Sequence, residues 1–322
     1  MAIKIRRSGY LHKRKQIPNK RGVSKFFGRN VLIISLILFC LIFIIYFFLS
    51  FKASAWNNFQ NLLIINSLEN NDLSILSIDK KNDKISQLVV SGNTIFDASF
   101  NFGKYRVKNL YELDKSQKYH GNLLLTSVQK NTFAPVYMWT KHNLMDIKPN
   151  KFLKILSYLS DSSETNMSLT DRISLFLYLL PRNRDITITK LEETGFVKKN
   201  KDTDGESLVT GDRLPTDLAI LWVNDYVSEN QTRFEIINTS NERVLPDGIY
   251  KIFESSGAKV SNLVNNTDYK IGSDANCVVV SEDSKLLLYY ASIFRCRTVK
   301  RTESELFDFS IAVTKKFIDI YR

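Results

Sequence analysis

Histidine is scarce in this chain: His12, His120 and His142 are far apart in its 322 residues. No Cys-His or Ser-His-Asp spacing stands out, and only a triad assembled in space stays open. There are three cysteines, Cys40, Cys277 and Cys296. Two cysteines in the region after the apolar run are too few for a disulfide framework, and nothing near them makes a metal site. There is no Gly-rich phosphate loop. Acid is missing from the first thirty residues, which carry Lys4, Arg6, Arg7, Lys13, Arg14, Lys15, Lys20, Arg21, Lys25 and Arg29. The formal net charge is +12, so everything after that tail carries only about +2. The basicity belongs to one tail, which excludes reading the whole protein as a nucleic-acid binder.

Directly after the tail stands VLIISLILFCLIFIIYFFLSF, residues 31–51, with no charge, no Gly and no Pro. A helix of that length spans roughly 30 Å, the thickness of a hydrocarbon core. The expectation is a single transmembrane helix with a basic cytoplasmic tail (1–30) and the rest of the chain outside the cell membrane. Ala53-Ser54-Ala55 also fits a signal-peptide cleavage site. The apolar run is longer than the usual signal core, so an uncleaved anchor is the preferred reading. Outside the membrane a Cys277–Cys296 disulfide can persist. As small apolar side chains on neighbouring strands, the two are expected as buried thiols.

Past the anchor, apolar runs alternate between strand and helix periods. NLLIIN (61–66), LSILSI (73–78) and Ile85–Val90 read as strands, and LVVSGNTIF (88–96) as strand, turn, strand. HGNLLLTSVQK (120–130) and NKFLKILSYL (150–159) read as helices, APVYMWT (134–140) and DITITK (185–190) as strands. Ser168 is placed to cap a helix containing ISLFLYLL, with Asp171 at its third position and Pro181 closing it. Residues 195–214 read as a surface loop, and DLAILWVNDYV (217–227) as one helix. A second unit comes next: strands at 233–238, 258–264, 276–280, 295–299 and 307–313, and helices at 245–255 and 285–293. The order of elements predicts an α/β fold.

Residues 233–264, RFEIINTSNERVLPDGIYKIFESSGAKVSNLV, resemble the start of the C-terminal domain found after many LytR-CpsA-Psr proteins. That domain opens with a strand, an Asn-Gly-Thr-like turn, a helix, a Gly and a strand. Asn238-Thr239-Ser240 stands at the turn without the family's Gly, and Gly257 at the helix end. The upstream region resembles the LytR-CpsA-Psr domain itself. The resemblance implies residues 57–230 as a degenerate domain of that kind and 231–322 as its C-terminal companion. The family is membrane-anchored and transfers glycopolymers from a polyprenyl pyrophosphate carrier to peptidoglycan. Its opening Gly-x-Asp-x-Arg stretch corresponds to Leu62–Glu69 here, with Ser67 for Asp and Glu69 for Arg, and only Asp72 keeps its type. Its Ile-Pro-Arg-Asp-Thr landmark corresponds to Val90-Ser91-Gly92-Asn93-Thr94. Lys104–Asn109 resembles the family's Lys-Ile-Asn region and FAPVYMW its next strand, while the long segment with arginines and a Gln-Gln pair is missing.

Neutralising a pyrophosphate needs Arg forks or a metal held by carboxylates. Gly92 and Asn93 supply neither charge, and Glu69 would repel the substrate. Losing one electrostatic donor of this kind costs about 2.7–4 kcal/mol of transition-state stabilisation. The expectation is therefore a non-catalytic binding or scaffolding relative, with no cofactor. Its partners would be the membrane and, through the resemblance, peptidoglycan, a wall glycopolymer or the polyprenyl lipid carrier. The alternative is a divergent phosphotransferase, for which Mg²⁺ is implied. Asp72, Arg106 and Lys108 are then the candidate catalytic residues, Asp72 also the candidate metal ligand, with Arg182 and Arg184 as further replacement donors. A plain spacer between membrane and wall is the third reading.

Overall fold

The computed structural model describes residues 23–68, 70–147, 152–180, 186–199, 207–209, 215–240, 242, 244–269, 271–272, 275–301 and 306–322. The chain divides into two units, one ending at Ser50 and the other running from Phe51 to Arg322. Helix α1 (Val23–Ala53) contains a stretch, Val31–Lys52, long and apolar enough to cross a membrane. None of that stretch is buried by protein, which is what an all-round apolar helix requires of lipid.

The second unit begins with the short α2 (Ala55–Asn58), then β1 (Asn61–Ser67), β2 (Leu73–Asp79), β3 (Lys84–Val90), β4 (Thr94–Ala98) and β5 (Gly103–Arg106). Helices α3 (Val107–Ser116) and α4 (Asn122–Thr132) come next, then β6 (Met138–Thr140), α5 (Phe152–Ser160), α6 (Leu169–Leu179), β7 (Ile186–Lys190), β8 (Val197–Lys199) and β9 (Ser207–Val209). The remainder is α7 (Thr216–Trp222), α8 (Asp225–Glu229), β10 (Arg233–Asn238), α9 (Asp247–Ser255), β11 (Lys259–Asn265), β12 (Cys277–Ser281), α10 (Ser284–Phe294), β13 (Arg297–Lys300), β14 (Phe309–Val313) and α11 (Lys315–Tyr321).

Three sheets organise these elements. The first has the order β6-β1-β2-β3-β7, with β1, β3, β6 and β7 running the same way and β2 opposed. β1 and β2 are buried at nearly every position, so both faces are covered, as their unbroken apolar runs demand. The second sheet has the order β11-β10-β14-β12-β13 and is parallel except at the β12/β14 pair. The third joins β5-β4-β9-β8.

Three expectations are corrected. Residues 195–214 are not all loop: β8 and β9 lie within them, because β9 pairs with β4 through Thr94 and Ser207. A polar segment becomes a strand here because a distant partner supplies its ladder. The helix expected over 217–227 is two helices. Val223 is extended, and Asn224 Oδ1 accepts the Tyr226 N–H at 3.0 Å, starting α8 as a cap rather than continuing α7. Cys277 and Cys296 are bonded to each other rather than free thiols. β12 and β13 pair in parallel with Val278 opposite Arg297, so the preceding residues are lateral neighbours with Cα atoms 4.8 Å apart, inside disulfide range.

Ser168 caps α6 as expected: its Oγ accepts the Asp171 N–H at 3.0 Å. Asp171 then serves a second element, since its Oδ1 accepts the Trp56 N–H at 2.8 Å. Pro181 lies outside the described residues.

Candidate functional site

In an open sheet with parallel strands, ligands gather beyond the strands' carboxyl ends. At that end of the first sheet lie Ser67 closing β1, Val90 closing β3 and Thr140 closing β6. Asp72 enters from the antiparallel β2, directly before Leu73, whose register partners are Ser67 and Val90. The fold thus brings Asp72 and the Ser91-Gly92-Asn93 turn to one place.

Asp72 Oδ1 accepts the Gly92 N–H at 2.8 Å, and Oδ2 accepts the Asn70 side-chain amide. The Gly92 carbonyl accepts the Lys108 N–H at 3.1 Å, satisfying one of the free amides in the first turn of α3. Lys108 Nζ reaches Asn93 Oδ1 at 3.2 Å. Thr94 N–H donates to the Ser91 carbonyl at 2.9 Å and closes the turn. A Cβ built on Gly92 would lie 2.5 Å from the Asn71 carbonyl oxygen and 3.1 Å from Lys108 Cβ. Glycine is required here by close approach of the backbone. Gly92 stands where the resembled motif has Arg, and the Asn71 carbonyl occupies the space that a side chain would need.

Arg106 is half-buried at the end of β5, paired opposite Ile95, and is the residue from which α3 starts. Asp72, Gly92, Asn93 and Lys108 are therefore linked by hydrogen bonds, and Arg106 stands at the start of the helix that carries Lys108. Arg182, Arg184 and Glu69 lie outside the described residues. The donor set does not fit Mg²⁺. That ion wants an oxygen octahedron at about 2.0–2.1 Å. Here one carboxylate has both oxygens engaged, the next polar side chain is a neutral amide, and the Lys108 ammonium sits on it.

A cleft of about 410 Å³ opens at the same sheet end, lined by Ser67, Leu68, His142, Asn143, Asp146 and Ser157 among others. A second, of about 310 Å³, includes Tyr111, His120, Trp139 and Glu164. Burial raises the Tyr111 hydroxyl to about 12, helped by the charge of Glu164, so it stays protonated at neutral pH. Burial also lowers the His142 imidazole below its ordinary value, against the opposing pull of Glu164 and Asp161. Along the sequence His142 stands isolated and gives no signal of a site. Asp161 and Glu164 are three residues apart and far from it along the chain, and the pairing of the segments around Thr140 and Thr165 brings them together.

The structure thus defines a mixed α/β protein with one apolar N-terminal helix and a closed, uncharged turn at the sheet end. No family model matches the sequence, and no curated protein matches it. Solved structures similar to it include TagT of B. subtilis, 11% identical, covering 51% of this chain and 90% of that one at a TM-score of 0.35. Another is the LytR-CPS2A-psr family protein YwtF (TagT) with bound octaprenyl pyrophosphate lipid, 12% identical, covering 50% and 89% at 0.34. A third is Lin1025 from Listeria innocua, 11% identical, covering 50% and 94% at 0.32.

Proposed function

We propose that this chain is a single-pass, membrane-anchored cell-envelope protein that binds or scaffolds and does not transfer. Its outer part would comprise a degenerate LytR-CpsA-Psr-like domain over 57–230 and the C-terminal companion over 231–322. The observation that carries this reading is the closed turn at Gly92. The one acidic residue that keeps its type, Asp72, is spent on holding that turn, and the Asn71 carbonyl fills the place of the missing arginine. The Val31–Lys52 helix and the basic residues before it support the anchor and a cytoplasmic N-terminus. The Cys277–Cys296 bond supports an outer location for the rest, since disulfides persist in oxidising compartments.

The ligand to test is a polyprenyl pyrophosphate. The full chain, in detergent micelles, is incubated with octaprenyl pyrophosphate and a glycan acceptor with and without Mg²⁺, and bound and converted lipid are scored together. Saturable binding without conversion is expected. Conversion that needs Mg²⁺ and is lost in Asp72→Ala would overturn the proposal in favour of a transferase using Arg106 and Lys108. The absence of both would leave peptidoglycan and protein partners as the candidates for the outer part.

A further inference from the structure

We propose that His142, Asp161 and Glu164 form a site for a divalent transition-metal ion of the zinc class. Each offers one ligand atom, and the three atoms lie within 4.8 Å of one another. His142 Nε2 is buried with no hydrogen-bond partner. It lies 4.0 Å from Glu164 Oε2, too far for a direct hydrogen bond. An ion held at about 2.0–2.2 Å from a His nitrogen and a carboxylate oxygen spans that gap with a small inward shift of the two side chains. It would also satisfy the orphaned nitrogen, which stands beside the Glu164 and Asp161 carboxylates.

The site stands on fixed backbone. Lys141 N–H donates to the Glu164 carbonyl at 2.9 Å, and Asn166 N–H to the Trp139 carbonyl at 3.3 Å, so the segments carrying His142 and Glu164 run side by side. Asp161 N–H donates to Ser157 O at 2.9 Å. The buried Arg172 guanidinium donates to the Asp161 carbonyl at 3.2 Å and the Tyr158 carbonyl at 3.0 Å. Two residues compete with an ion without using up the site. Lys141 Nζ takes Glu164 Oε1 at 3.2 Å and leaves Oε2 facing the imidazole. Ser163 donates to Asp161 Oδ1 from both its N–H and Oγ and orients that carboxylate.

The donor types select the metal. Calcium and magnesium take all-oxygen shells, whereas an imidazole with two carboxylates suits zinc and its neighbours. Three protein ligands leave a fourth position for water or a small ligand. His142 lines the cleft of about 410 Å³ and Glu164 the one of about 310 Å³. None of its three residues belongs to the Asp72–Gly92 turn.

The test is zinc uptake by the full chain in detergent micelles, stripped of metal and titrated with Zn²⁺ against a chromophoric chelator. One equivalent more is expected for wild type than for His142→Ala or Glu164→Gln, with affinity in both variants falling about tenfold or more. Sites elsewhere, such as Cys40 or His12, are common to all three proteins and cancel. Glu164→Gln keeps the side-chain volume, and the metal-free melting temperature reports whether each variant folds. Co²⁺ should give visible ligand-field bands in wild type alone. No uptake by wild type, or equal uptake by all three proteins, would overturn the proposal.

Discussion

At the scale of single residues, the turn at 91–94 is decided by atoms that leave no room. Gly92 is clasped from both sides: its N–H goes to Asp72 and its carbonyl to the first turn of α3. Gly92→Arg, the change that restores the resembled motif, should therefore destabilise the protein by about 1–3 kcal/mol, the usual cost of forcing atoms into a packed position. Urea denaturation of the purified protein measures this. A variant as stable as wild type that also turned over a polyprenyl pyrophosphate would show the position to be open.

At the scale of elements, the second sheet is closed covalently as well as by its ladders. Cys277 opens β12 and Cys296 precedes β13, with 19 residues of separation enclosing α10. Closing a loop of about that length removes roughly 3 kcal/mol of unfolded-state entropy. The double change of Cys277 and Cys296 to Ser should lower unfolding stability by about that amount, and reductant should lower wild type to the same level. Denaturant midpoints with and without reductant would check it, and reductant-insensitive stability would mean that the bond adds nothing.

At the scale of the whole molecule, two ties hold the unit from Phe51 to Arg322 together. Buried Gln129 on α4 donates its amide to the Val136 carbonyl at 2.6 Å and the Ile293 carbonyl at 2.9 Å, and accepts the Tyr321 hydroxyl at 2.6 Å. Helix α4 thus shares one buried polar node with α10 and α11, the last two helices of the chain. The other tie lies just past the apolar helix, where Trp56 gives its N–H to Asp171 and accepts a hydrogen bond from Lys80, whose ammonium also stands 5.1 Å over the indole. Burial lowers Lys80 from 10.5 to about 8, opposed in part by Asp171. Between about 8 and 10.5 the unfolded chain then holds more protons than the folded one, so this group's contribution to stability rises with pH through that window. Below about 8 Lys80 is protonated in both states and its cost is constant. Melting temperature should climb more steeply from about pH 7.5 to about pH 9.5 in wild type than in Lys80→Met. Parallel profiles would show that Lys80 titrates normally.

The sequence alone determined whatever depends on local periodicity and composition. The apolar helix was legible because every position in 31–51 is uncharged, and β1, β2 and β3 because their apolar runs are bounded by polar turns. Ser168 could be read as a cap because capping acts over three residues. Even the turn at Ser91-Gly92-Asn93 was visible, together with its missing charges. Tertiary structure alone decided what depends on register between distant segments. Parallel pairing of β12 with β13 made a disulfide from two cysteines that read as thiols. Pairing with β4 made a strand of Ser207–Val209. The antiparallel contact of Thr140 with Thr165 gathered His142, Asp161 and Glu164 from separate stretches of chain. The physical reason is common to all three: a ladder partner is chosen by burial and hydrogen bonding across the fold, and a residue's own neighbours in sequence carry little of that information.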